Sequence, residues 1–202
     1  MFGRHEHKDI SDFGLGHIPP DMPNTSWIDD RDVYPDTHWY RQVFEVIGLE
    51  VQKRNIIIKR YLGLGSGLGR QTVLAAEQFQ DLSRLVAVDP NTPIHQSVIT
   101  RFPFVEQVRL SVFDELMQLQ SQQELFDIVC FENIGDSNAM YHRRMSAYPA
   151  LQDVVSPGGF VAALGDTMLL PESLEKAGFS PVPTRKDGES WRMYNMLWQK
   201  GR

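Results

Sequence analysis

Apolar positions along the chain change period several times, and each change marks an element. From Thr37 to Lys53 they fall at Tyr40, Val43, Phe44, Ile47 and Val51, the three-and-four spacing of a helix with one buried face. Asp36 or Thr37 is placed to cap it, and Gly48 is its weak point. Tyr61, Leu62 and Leu64 then form a short β-rich run, and helical spacing returns at Leu68, Thr72, Ala75, Ala76 and Phe79. Leu85-Val86-Ala87-Val88 reads as a second strand, Ile94 to Phe102 as a short helix before Pro103, and Val105 to Val112 as a third strand ending at Phe113-Asp114. Leu125 to Phe131 is a nearly continuous apolar run of the kind found in strands buried on both faces. Leu151 to Asp166 contains the end of a helix, a Pro157-Gly158-Gly159 turn and an apolar strand. Pro171 opens a helix with Leu174 and Ala177 on its apolar face and Gly178 at its end. Phe179 to Thr184 and Trp191 to Trp198 make two further strands, joined through Asp187-Gly188, which predicts a terminal hairpin.

Length and composition narrow this to one α/β domain. A chain of 202 residues fills one such core and is too short for two of ordinary size. Residues 1–36 are polar, rich in Pro, Asp and His, and lack either period, so they read as an irregular N-terminal extension before a single domain over 37–202. Trp27, Tyr34, Trp39 and Tyr40 need apolar surface to cover, either as a lid or against the outside of the sheet. His5, His7 and His17 have no partner ligands at a metal-binding spacing, so no metal site is expected. Acidic residues outnumber basic ones by 26 to 20, which disfavours nucleic acid as a partner. The single cysteine, Cys130, lies in an apolar run and reads as a buried strand residue. No run approaches the ~20 apolar residues of a membrane span, no signal-peptide core is present, and a cytoplasmic location follows as the expectation.

The candidate chemistry sits in Tyr61 to Arg70, YLGLGSGLGR. A strand, a glycine turn and a helix N-terminus follow in order, and such a turn presents backbone N–H groups and the positive end of a helix dipole. Asp89 closes the next strand 20 residues past Gly69, placed to accept hydrogen bonds from two ribose hydroxyls. This is the outline of a nucleoside-binding βαβ unit. The dinucleotide fingerprint G-x-G-x-x-G fits in no register: from Gly63 the sixth position is Leu68, and from Gly65 it is Arg70. The pattern present is G-x-G-x-G, Gly65-Ser66-Gly67-Leu68-Gly69, which argues against a nicotinamide cofactor.

That loop, the acid at Asp89, the Pro157-Gly158-Gly159 turn and the terminal hairpin together resemble the class I S-adenosylmethionine-dependent methyltransferases, over about Arg60 to Gln199. The resemblance implies a Rossmann-like, doubly wound, mostly parallel seven-stranded sheet with helices on both faces and its last strand inserted antiparallel between the fifth and sixth. It implies S-adenosylmethionine as cofactor, held by Gly63, Gly65, Ser66, Gly67, Gly69, Asp89 and Pro90, with Glu132 and Asn133 at the fourth strand's end, and Phe113 and Asp114 either at the adenine or, for Asp114, capping a helix over Glu115 to Leu119. The helix before the first strand would bring Tyr40 or Arg41 near the methionine end. One position departs from the family: where an acid commonly stands two residues before the first glycine of the motif, this chain has Gly63. A substitute, Glu132 among the candidates, is then required.

The acceptor is expected to be a small molecule, and an O–H acceptor would call for a general base, for which Glu132, His142 and Asp136 are the candidates. Asp136, Tyr141, His142, Arg143 and Arg144 either hold a substrate or form a solvated loop and helix face. A non-catalytic binding protein on the same fold is the alternative, motivated by Gly63.

Overall fold

The computed structural model describes residues 37–132, 141–164, 169–182 and 195–201. Its centre is a seven-stranded sheet in the order β3-β2-β1-β4-β5-β7-β6. The strands are β1 Arg60–Leu64, β2 Arg84–Val88, β3 Val105–Val108, β4 Phe126–Glu132, β5 Val155–Leu164, β6 Phe179–Pro181 and β7 Asn195–Lys200. The helices are α1 Thr37–Arg54, α2 Arg70–Gln78, α3 Gln96–Arg101, α4 Val112–Ser121, α5 Tyr141–Val154 and α6 Pro171–Lys176. Strands β1 to β5 pair in parallel, and β7 runs antiparallel between β5 and β6. The doubly wound sheet and the inserted last strand are as the sequence led us to expect.

Both faces are covered because the middles of the central strands are runs of apolar residues buried on both sides, as a parallel sheet requires. On one face Tyr61, Leu85, Ala87, Ile128, Cys130 and Phe160 pack with Val43, Phe44 and Ile47 of α1 and with Val73, Leu74 and Ala75 of α2. On the other, Leu62, Leu64, Val86, Val88, Val129 and Phe131 pack with Leu116 and Leu119 of α4 and with Ala147, Ala150 and Leu151 of α5. The alternation within each strand sorts the two sets. Gly48 is less a weakness in α1 than a place of close approach: a Cβ there would run into Gln78 Nε2 at the end of α2.

Three boundaries differ from the expected ones. Strand β3 stops at Val108, because Ser111 caps a helix: its side chain accepts a hydrogen bond from the Asp114 N–H, and α4 starts at Val112. Phe113 and Asp114 therefore stand in a helix's first turn rather than at a strand end. The Pro157-Gly158-Gly159 turn lies within β5, where the pairing with β4 shifts register between Phe126 and Ile128 and the chain bulges. Gly159 fits there because a Cβ would meet the Asp127 and Ser156 carbonyl oxygens at 2.9 Å. In the hairpin, β6 ends at Pro181 and β7 begins at Asn195, so Trp191 lies outside the described residues.

Candidate functional site

The chain runs from β1 outward to β2 and β3, then returns to place β4 on β1's other side. The crevice where ligands bind in such sheets opens at the carboxyl ends of the two strands flanking this reversal, β1 and β4. Immediately after β1 the chain turns. Gly65 (φ 75), Gly67 (φ 48) and Gly69 (φ 105) take positive φ, which residues with a Cβ rarely adopt. The path itself therefore requires these glycines.

Hydrogen bonds fix the turn to β2. The Gly65 and Ser66 N–H groups both donate to the Val88 carbonyl, at 2.9 and 3.0 Å. The Gly67 N–H donates to Asp89 Oδ2 at 3.0 Å. Asp89 Oδ1 accepts from the Asn91 and Thr92 N–H groups at 2.9 and 2.7 Å, forming the turn around Pro90. One carboxylate thus holds both the glycine loop and the turn after β2. A carboxylate offers about four acceptor positions, so roughly one remains.

Gly69 is the N-cap of α2 and brings no side-chain cap. The positive end of the α2 dipole therefore follows directly on the loop, with no side-chain oxygen bonded to its first turn. A Cβ on Gly67 would meet nothing within 4 Å, whereas one on Gly69 would stand 3.0 Å from Ile94 Cγ2. Gly69→Ala is accordingly expected to lose about 1–2 kcal/mol for the backbone and a further increment from displacing Ile94. Gly67→Ala should lose only the backbone part. Urea denaturation of both variants checks the order, and equal losses would contradict it.

Beneath the loop lies a polar group that sequence reasoning missed. Gly63 is buried between Ala87 of β2 and Cys130 of β4. A Cβ there would stand 2.9 Å from Ser66 Oγ and 3.2 Å from Gln71 Cδ and Oε1. Ser66 Oγ donates to the Gly63 carbonyl at 2.8 Å, the Tyr61 hydroxyl donates to Gln71 Oε1 at 2.7 Å, and Gln71 Nε2 reaches the Leu64 carbonyl at 3.5 Å. All three side chains are buried. The available signal was the vacancy itself: a glycine in an otherwise apolar strand leaves room for a long side chain from the helix after the loop.

Glu132, at the end of β4, is buried and pairs with Leu164 of β5. Strand alternation puts it on the same sheet face as Cys130 and Tyr61. Burial raises the Tyr61 hydroxyl well above its usual range, with Cys130 and the Glu132 charge adding to the effect. Burial likewise pushes the Cys130 thiol far up, so it is an inert core residue. Phe113 packs into the core, and Asp114 Oδ2 accepts a hydrogen bond from Ser111 Oγ at 2.5 Å. Asn133 and Asp136 lie outside the described residues. His142, Tyr40 and Arg41 are described only as backbone in their helices. Among the described residues no group of His, Cys, Asp and Glu is placed to hold a metal ion, and no helix is long and apolar enough to cross a membrane.

No family model and no curated protein sequence matches the chain. Solved structures do match. An S-adenosylmethionine-dependent methyltransferase from Clostridium acetobutylicum superposes with a TM-score of 0.56 at 12% identity, over 81% of this chain and 92% of that one. The 1,6-didemethyltoxoflavin-N1-methyltransferase of Burkholderia thailandensis, solved with 1,6-didemethyltoxoflavin and S-adenosylhomocysteine, gives 0.55 at 20% identity, over 88% and 84%. The N-methyltransferase NodS of Bradyrhizobium japonicum with S-adenosyl-L-homocysteine gives 0.57 at 13% identity, over 88% and 96%. The strand order, the antiparallel β7 and these superpositions agree: the chain has the fold of the class I S-adenosylmethionine-dependent methyltransferases.

Proposed function

We propose that the protein is an S-adenosylmethionine-dependent methyltransferase acting on a small-molecule acceptor. The observation that carries this reading is the glycine loop of Gly65 to Gly69, ordered by Asp89 beside the uncapped N-terminus of α2, at the reversal of strand order. The donor set suits a nucleoside. The glycine loop brings its backbone and the positive end of the α2 dipole to the end of β1, and the Asp89 carboxylate stands at the end of β2, where ribose hydroxyls would meet it. Since three amide donors already occupy Asp89, taking up both hydroxyls requires sharing or displacing one of them.

When bound, S-adenosylmethionine supplies an activated methyl group, so the protein's task is to align an acceptor with it and exclude water. Gly65, Ser66, Gly67 and Gly69 form the floor, Asp89 and Pro90 one wall, and Glu132 at the end of β4 the opposite wall, with Asn133 outside the described residues. Phe113 is committed to the core and Asp114 to the α4 cap, which leaves Arg109 to Ser111 as the segment leaving β3 next to Asp89. Glu132, His142 and Asp136 are the candidates for a base toward a hydroxyl acceptor. The Burkholderia enzyme, solved with 1,6-didemethyltoxoflavin bound, is in keeping with a small-molecule acceptor here. A cytoplasmic setting is in keeping with the buried thiol of Cys130.

A non-catalytic binding protein is the second reading, favoured by Gly63. The test that separates them is formation of S-adenosylhomocysteine from S-adenosylmethionine when pools of small-molecule acceptors are supplied. Turnover above the protein-free rate that Asp89→Ala lowers at limiting S-adenosylmethionine supports the enzyme. Cofactor binding without turnover on any pool supports the second reading.

A further inference from the structure

We propose that Gln71 is a positioning residue that orders the cofactor loop in place of an acidic side chain at position 63. Its carboxamide fills the space a side chain on Gly63 would enter, 3.2 Å from an ideal Cβ at that position. It links the Tyr61 hydroxyl below to the Leu64 carbonyl at the point where β1 gives way to the loop. Ser66 completes the bracket by bonding back to the Gly63 carbonyl. All three side chains are buried, where an unpaired polar group is unfavourable, so the Tyr61–Gln71 bond and the Ser66–Gly63 bond each favour one arrangement.

This bracket orders the loop without a charge. A carboxylate at 63 would stand with Glu132 on one sheet face, beside a buried tyrosine whose hydroxyl is already disfavoured from ionising. The neutral amide avoids that repulsion and leaves Glu132 as the carboxylate on this face of the crevice. The pairing of the sheet, by contrast, does not pass through Gln71: β1 pairs with β2 from Arg60 to Leu64 and with β4 from Tyr61 to Leu64.

The identity of the ligand rests on the methyltransferase reading, but the ordering of the loop does not, and the two are tested separately. Amide hydrogen exchange of residues 65–69 in the unliganded protein reads loop order, and calorimetric titration with S-adenosylhomocysteine reads the site. Gln71→Ala should speed exchange in the loop and weaken binding about tenfold, the effect of losing one or two buried hydrogen bonds. The paired variant Tyr61→Phe/Gln71→Met removes both polar partners with little change of volume. It should stay folded and still show fast loop exchange. Wild-type exchange rates in Gln71→Ala or in the paired variant overturn the proposal. Failure of the wild-type protein to bind S-adenosylhomocysteine overturns the methyltransferase reading instead, with the exchange measurement still deciding the role of Gln71.

Discussion

Asp89→Ala is expected to weaken S-adenosylhomocysteine binding by about 1–3 kcal/mol, roughly 5- to 150-fold, while the protein remains folded. The carboxylate accepts from Gly67 on the loop and from Asn91 and Thr92 on the turn, so its loss frees two segments at once. The Asn91 bond is exposed and water replaces it, which limits the effect on stability. The Gly67 bond is partly buried and sets where the loop stands. Asp89→Asn keeps the shape but turns one acceptor atom into a donor, so it should retain part of the binding. Calorimetry on both variants, with denaturation curves beside it, checks the ranking. Unchanged affinity in Asp89→Ala would show that the loop is held without it.

The largest loss of stability is expected at the other end of the sheet. Phe126 is fully buried at the start of β4. The guanidinium carbons of Arg60 and Arg84 lie 5.0 and 5.6 Å from its ring centroid. Both arginines pair with Glu124, and Arg84 also pairs with Glu106 at 3.0 Å. Phe126→Ala should lose about 3–5 kcal/mol, a large share of the roughly 5–15 kcal/mol that holds a domain together. Phe126→Leu retains most of the volume, gives up the ring under the two cations, and should lose less than about 1.5 kcal/mol. Because Phe126 lies at the amino end of the strands, protein that stays folded should bind ligand as before. Thermal denaturation separates the two substitutions, and weakened binding by folded Phe126→Leu would contradict this division between the two edges.

The fold was largely legible because its signals are local and redundant. Strand assignment is secure when whole segments such as Leu85 to Val88 and Ile128 to Phe131 are apolar at every position and buried on both faces. Pro171 at the first turn of α6 and Gly178 at φ 84 after it punctuate the chain where expected. The end of β3 was misread because Val112 and Phe113 are apolar in either setting. What decides between them is the Ser111 cap, a single side-chain hydrogen bond. Within the site, positive φ at Gly65, Gly67 and Gly69 follows from residue type. The place of Gln71 does not, since a glutamine on a short helix reads as a surface residue until the gap left by Gly63 is seen in three dimensions.

Titration of the wild-type protein with S-adenosylhomocysteine, read by calorimetry, tests the central claim most directly. One-site binding in the micromolar range, weakened by Asp89→Ala, is the expected result. Heat no different from buffer, in protein whose denaturation curve shows it folded, would contradict a nucleoside site at the end of β1.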